Sequence, residues 1–171
     1  GISGRRICIL SLGCPKNDVD SEAVAGILER GGFTIVESTE DADAVLINTC
    51  GFIADASQES VNTILEAVRI KESRPDVKVY VMGCLVQRYG NEVEKSIPEI
   101  DGVFGVEPFT EVAGFFTGAV RGPVTDPFIG RTRLYSAHTA YIKIADGCSH
   151  RCSFCTIPGI KGPMRSRPAN E

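Results

Sequence analysis

Nowhere in these 171 residues does an apolar run approach the roughly 18 to 20 residues that cross a bilayer. The opening stretch, GISGRRICIL, also lacks a signal-peptide cleavage pattern. Together these two absences predict a cytosolic protein with no membrane partner. A basic excess is missing too. The formal charge is -4, which argues against a nucleic-acid partner for the body of the chain, although Lys161, Arg165 and Arg167 make the last stretch locally positive. There is no P-loop, no nucleophile-elbow serine motif and no dinucleotide glycine fingerprint, so those enzyme classes have no foothold. Internal repeats and low-complexity tracts are likewise absent.

What remains is a chain with 43% hydrophobic residues, enough for one domain with a real core and part of a second. It also contains seven cysteines. In a chain without a secretory signal, that number points to metal binding or redox chemistry before disulfides, because the cytosol keeps thiols reduced.

The pattern alternates between strand and helix. RRICILSLG reads as a strand, and NDVDSEAVAGILERGG as an amphipathic helix. In that helix Asn17 or Asp18 is the expected cap, Val19, Ala23, Val24, Ile27 and Leu28 form the apolar face, and Gly31 and Gly32 stop it. FTIVE is a short strand, and DADAVLINT a longer one whose continuous apolar run suits a sheet covered on both faces. A helix follows, announced by Asp55 with Gln58 as a capping-box variant, with Val61, Ile64, Leu65 and Val68 on one stripe. VKVYVMG, helical YGNEVEKSI, strand DGVFGV and helical EVAGFFTGAV complete the series. The expectation is an α/β domain over residues 5–118, an open parallel sheet flanked by helices with right-handed crossovers. Residues 119–135 carry two prolines and two glycines and read as a linker or extended hairpin. TAYIKIA then reads as a new strand opening the region 136–171.

The cysteines fall into two sets of three. Cys148, Cys152 and Cys155 share one short loop in C-x3-C-x2-C spacing, and three soft sulfur ligands this close suit zinc or an iron-sulfur cluster. No fourth cysteine accompanies them. A 4Fe-4S cluster held by three cysteines leaves one iron open to an outside ligand; the competing reading is zinc with His150 as fourth ligand, cramped in so short a loop. His138 reads as an ordinary loop residue. Cys14, Cys50 and Cys84 each follow an expected strand and each has a glycine neighbour, in LGC, CGF and MGC. The carboxyl ends of parallel strands share one edge, where ligand sites form, so these three thiols are expected to meet. Free cysteines are often small buried hydrophobes, and that reading suits any single one of them better than it suits three at equivalent positions. Cys8 lies six residues before Cys14, about 20 Å away at roughly 3.3 Å per residue, and is assigned to the core. Asp18 and Asp20, beside Cys14, are expected to cap the helix and complement its dipole. A pure electron carrier profits from fully ligated clusters, so two open sites point to chemistry.

GCSHRCSFC, with an aromatic before its last cysteine, resembles the S-adenosylmethionine radical signature, and SLGCPKN, INTCGFI and VMGCLVQRY resemble the cysteine segments of the methylthiotransferase amino-terminal domain. SLGCPKN, GCLVQRY and CTIPGIKGPMRSRP are most similar to the branch of that family acting on the β-carbon of an aspartate in a small-subunit ribosomal protein; the alternatives are the tRNA adenosine branch and a zinc-binding interaction module. The resemblance implies that Cys148, Cys152 and Cys155 hold a 4Fe-4S cluster that binds S-adenosylmethionine, whose reductive cleavage gives a 5'-deoxyadenosyl radical, with Phe154 beside the adenine. It implies that Cys14, Cys50 and Cys84 hold an auxiliary 4Fe-4S cluster carrying the sulfur to be inserted, methylated by a second S-adenosylmethionine. It further implies an electron donor and a sulfur donor. A radical-enzyme barrel takes roughly 200 residues or more, and residues 136–171 supply only its opening strand and cluster loop. The expectation is therefore an amino-terminal fragment, a transferase by family and inactive on its own, with the residues after about 119 poorly packed or borrowing contacts from a neighbouring molecule.

Overall fold

A computed structural model describes residues 5–118, 126–135 and 138–168. Strand β1 (Arg6–Ser11) leads into helix α1 (Pro15–Arg30), then β2 (Thr34–Val36), β3 (Ala44–Thr49), α2 (Ala54–Ser73), β4 (Lys78–Gly83), α3 (Cys84–Ser96), β5 (Gly102–Phe104) and α4 (Phe109–Thr117). The five strands form one sheet in the order β2-β1-β3-β4-β5, every pair parallel. The chain moves outward from β1 to β2, then returns across β1 to β3. The strand order therefore reverses between β1 and β3, and in doubly wound sheets a crevice opens at that place beyond the carboxyl ends of the strands.

Alternation along the strands sorts the core into two layers. Ile7, Ile9, Leu46, Tyr80 and Met82 face α1 and α4, where Val24, Leu28, Val112 and Phe116 meet them. Cys8, Val45, Ile47, Val79 and Val81 face α2 and α3, against Ile64, Ala67, Leu85 and Val93. All six residues of β3 are buried, the apolar run Ala44–Ile47 as expected and Asn48 and Thr49 with it. Cys8 lies in the second layer, 1% exposed, with its thiol 3.6 Å from the Glu37 carbonyl, and burial raises its pKa. The core assignment of Cys8 agrees with this placement.

Several local expectations are corrected. The N-cap of α1 is Cys14 with Pro15 at the first helical position, not Asn17 or Asp18, because proline's fixed φ begins the helix as soon as the strand turns. Helix α2 is capped by Ile53 with no side-chain bond, so Asp55 serves the first turn as a charge and makes no capping box with Gln58. Leu65 is 38% exposed, and the stripe facing the sheet runs through Ser60, Ile64 and Ala67. Helix α3 starts at Cys84, five residues before the expected YGNEVEKSI, and kinks at Tyr89, where φ is -132°.

The tail differs most. No strand forms over residues 138–144; β6 (Ala145–Asp146), the five-residue helix α5 (Ile157–Lys161) and β7 (Arg165–Ser166) are its regular elements, with β6 and β7 antiparallel. Tyr141, Ile142 and Ile144 are 56%, 82% and 74% exposed, as expected for would-be strand residues lacking partner strands among the described residues. Yet the segment is not loose throughout. Residues 126–135, no hairpin, lie along α1: Phe128 and Leu134 pack on its core layer, Arg131 and Arg133 pair with Glu22, and Arg30 donates to the carbonyl of Gly130. Residues 119–125 of the expected linker, and the end of the expected EVAGFFTGAV helix, lie outside the described residues.

Candidate functional site at the strand ends

Cys14, Cys50 and Cys84 follow β1, β3 and β4, three adjacent strands. Cys14 is exposed, while Cys50 and Cys84 are each 8% exposed. Two close approaches show how the corners converge. Gly13 has φ +91°, and a methyl group there would stand 2.8 Å from the Cys50 sulfur, so a side chain at this corner would fill the space before that thiol. A methyl on Gly51 would stand 2.7 Å from the Leu85 Cα, so the chain after Cys50 runs hard against the start of α3 at Cys84.

A buried polar network holds these corners from below. Asn17, 1% exposed, donates to the carbonyls of Leu12 (2.8 Å) and Thr49 (3.1 Å), joining the turn before Cys14 to the end of β3 before Cys50. Asn48 donates to the carbonyl of Asn17 and to the Ser21 hydroxyl. The Ser60 hydroxyl accepts from the Cys50 amide and donates to the Cys50 carbonyl, both at 3.0 Å, clamping that residue's backbone from α2. Each bond satisfies a group that would be costly to bury alone. Sequence reading gave Asn17 a capping role and missed Asn48 and Ser60; the polar letters Asn48 and Thr49 after the apolar AVLI, and Ser60, were the available signal.

The second set lies on the loop between β6 and α5. Cys148 and Cys155 are half-buried and Cys152 is exposed. The loop is closed by hydrogen bonds from the Cys148 amide to the Gly162 carbonyl and from the Cys155 amide to the Cys152 carbonyl, both 3.1 Å. His150 is exposed. Phe154 is 87% exposed and borders a groove of about 500 Å³ whose other walls include Phe52, Gln58, Arg88 and Tyr89. That groove runs from the residues after Cys50 to the second cysteine loop. Arg88 donates to the Gly51 carbonyl at 3.1 Å and lies over the Tyr89 ring.

Electrostatics join the two sets. Burial pushes the Cys84 thiol's pKa up, partly opposed by the Lys161 ammonium, with Cys50 and Cys14 adding to the rise. Burial alone would lower the pKa of Lys161, but the charges of Asp20, Cys84 and Asp146 outweigh it and hold the pKa above its ordinary value. Burial works against ionised Asp146 as well, yet Lys143 and Lys161 hold its carboxyl well below the usual carboxylate range. Asp20, expected as a cap residue, is instead 4% exposed and bonded to Lys143 and Lys161, because α1 is covered here by the tail.

Among the described residues no three His, Cys, Asp or Glu side chains stand close enough to share one metal ion. The donor set nevertheless suits an iron-sulfur group, with three thiols at adjacent strand ends and the space between Gly13 and Cys50 kept clear of side chain. No helix among the described residues is long and apolar enough to cross a membrane.

Comparison with known proteins agrees with this architecture. The chain is 46% identical over 165 residues to the "Ribosomal protein uS12 methylthiotransferase RimO" of Chlorobaculum tepidum, covering 96% of this chain and 37% of that protein. It is 47% identical over 163 residues to the protein of that name from Thermosipho africanus, covering 94% and 38%, and 43% identical over 166 residues to that from Chlorobium phaeovibrioides, covering 97% and 38%. The chain thus spans less than two-fifths of the length of these curated relatives. Residues 6–105, the whole parallel sheet, match the family described as "Uncharacterized protein family UPF0004", and the chain belongs to that family.

Proposed function

We propose that this chain carries the two cysteine sites of a methylthiotransferase that uses S-adenosylmethionine to modify the β-carbon of an aspartate in a small-subunit ribosomal protein. The observation that carries the reading is the placement of Cys14, Cys50 and Cys84 at three neighbouring strand ends, beside the loop of Cys148, Cys152 and Cys155. The printed name of the relatives supports the substrate class, a small-subunit ribosomal protein. Residues 5–118 form the sulfur-site domain, 119–135 connect it, and 136–171 begin the radical domain.

When bound, two 4Fe-4S clusters would supply one-electron reduction of S-adenosylmethionine at the loop and a place for the inserted sulfur at the strand ends. This chain's residues supply the setting. Cys148, Cys152 and Cys155 would hold the first cluster. Cys14, Cys50 and Cys84 would hold the second, with Asn17 and Ser60 bonding the backbone beside Cys14 and Cys50. Phe154, at the mouth of the groove, would cover the adenine. An electron donor and a sulfur donor complete the requirements.

The test is spectroscopic. After anaerobic reconstitution and reduction, adding S-adenosylmethionine changes the electron paramagnetic resonance signal of the wild type and of Cys84→Ala, but not of Cys152→Ala. A colourless protein that takes up zinc and no iron overturns the reading.

A further inference from the structure

We propose that Asp20, Lys143, Asp146 and Lys161 form a buried charge clamp that sets the position of the second cysteine loop against the strand-end cysteines. Lys143 lies 2.7 Å from Asp20 and 2.6 Å from Asp146; Lys161 lies 3.4 Å from Asp20 and 3.6 Å from Asp146. All four side chains are between 5% and 7% exposed. Their positions in the chain give the cluster its meaning. Asp20 lies on α1, the helix that Cys14 opens. Asp146 is two residues before Cys148, on β6, and Lys161 ends α5 after Cys155. Lys16, half exposed, adds a bond from the first turn of α1 to Asp146 at 3.4 Å. Asp146 also accepts from the Gly147 amide at 2.9 Å, fixing the turn that enters the loop.

Two carboxylates and two ammonium groups balance, which is what allows them to be buried at all. Apolar residues of similar volume would hold two segments together at least as strongly, so a buried ionic square is a poor device for strength alone. Its specific gain is register. Asp20 offers one oxygen to each lysine, and sliding the loop along α1 would strand a charge in the interior. These four are positioning residues, acting on the cysteines through the loop's backbone. The significance of the clamp for cluster spacing rests on the methylthiotransferase reading, whereas its existence does not.

The experiment has two arms. In metal-free protein, hydrogen exchange is compared among wild type, Asp20→Asn and Lys161→Met; the second variant leaves Asp20 paired with Lys143 and guards against a simple failure to fold. Amides of residues 147–162 should exchange on the order of a hundredfold faster in Asp20→Asn. Those of β3 and β4 should keep their wild-type rates, and Asp20→Glu should recover part of the protection. Unchanged exchange in the loop, or equal loosening of the whole sheet, overturns the clamp. In the reconstituted chain, Asp20→Asn should retain wild-type iron while the spin-spin broadening between the two reduced clusters declines. Unchanged broadening at full iron content sinks the positioning role. Absence of iron from the wild type refutes the cluster reading, and the exchange arm still decides the clamp.

Discussion

The two cysteine sets differ in what holds them. Cys14, Cys50 and Cys84 hang from the ends of buried strands, with Asn17, Asn48 and Ser60 bonding the backbone behind them. Cys148, Cys152 and Cys155 hang from a two-residue strand and a one-turn helix, held to the domain by buried ion pairs and by the buried Ile160. A site on rigid elements is preorganised before its ligand arrives, and one on a short loop draws on its neighbours. The first set is a property of the sheet; the second is a property of how the tail docks on α1.

Thiol alkylation of the metal-free native protein gives the largest contrast. Cys152 and Cys14 are exposed, whereas Cys8, Cys50 and Cys84 are buried and must wait for opening. Against a domain stability of about 5 to 15 kcal/mol, Cys8 should react more than a thousandfold slower than Cys152. Similar rates for the two would break the contrast between sheet and loop. Next in size is the core. Leu46→Ala, at a fully buried position under α1 and α4, should cost about 2 to 5 kcal/mol in urea unfolding. Ile144→Ala, 74% exposed in the tail, should change stability by less than about 0.5 kcal/mol. A large loss from Ile144→Ala would show that the tail carries more of the fold than its exposure implies.

Asn17→Ala sharpens the comparison from within the first site. It removes two buried donors and leaves the Leu12 and Thr49 carbonyls unpaired, so it should cost about 2 kcal/mol. Iron retention should fall at the strand-end site alone; equal loss from both sites would contradict the separate support of the two sets. The smallest effect lies at the opposite edge of the sheet. Burial disfavours ionised Asp101, but Lys71, the Val79 amide and Lys78 hold its pKa below the ordinary value. A carboxylate depressed in the folded state stabilises above its unfolded pKa, and that stabilisation disappears as pH falls through the folded value. The wild type should therefore exceed Asp101→Asn by about 1 kcal/mol at pH 7, with the margin closing below about pH 4. A margin that does not shrink at all as pH falls below about 4 would mean that the carboxylate's charge is not its cause.

Much of the sheet was legible in the sequence because its signals are local and agree with one another. The apolar runs ICIL in β1, AVLI in β3 and VYVM in β4 point to the same parallel sheet, and the strand-end position of each cysteine follows from it. What was not legible depends on contacts distant in the chain. Asp20 looks like a helix-start acid until Lys143 and Lys161, 123 and 141 residues away, are seen to enclose it. TAYIKIA has strand composition, yet among the described residues it joins a ladder only at its end, where Ala145 begins β6 and the Ile144 carbonyl accepts from the Arg167 amide. The cap at Cys14 was missed because the pull of Pro15 on the helix start outweighs the capping preference of Asn17, which the fold spends on two carbonyls instead.

The central claim is that one chain presents two separate cysteine sites, each able to hold a cluster. Counting iron and sulfide after anaerobic reconstitution tests it most directly. The account predicts about eight irons in the wild type and about four in both Cys14→Ala and Cys152→Ala, with almost none when the two substitutions are combined. Equal iron in the wild type and either single variant would contradict it.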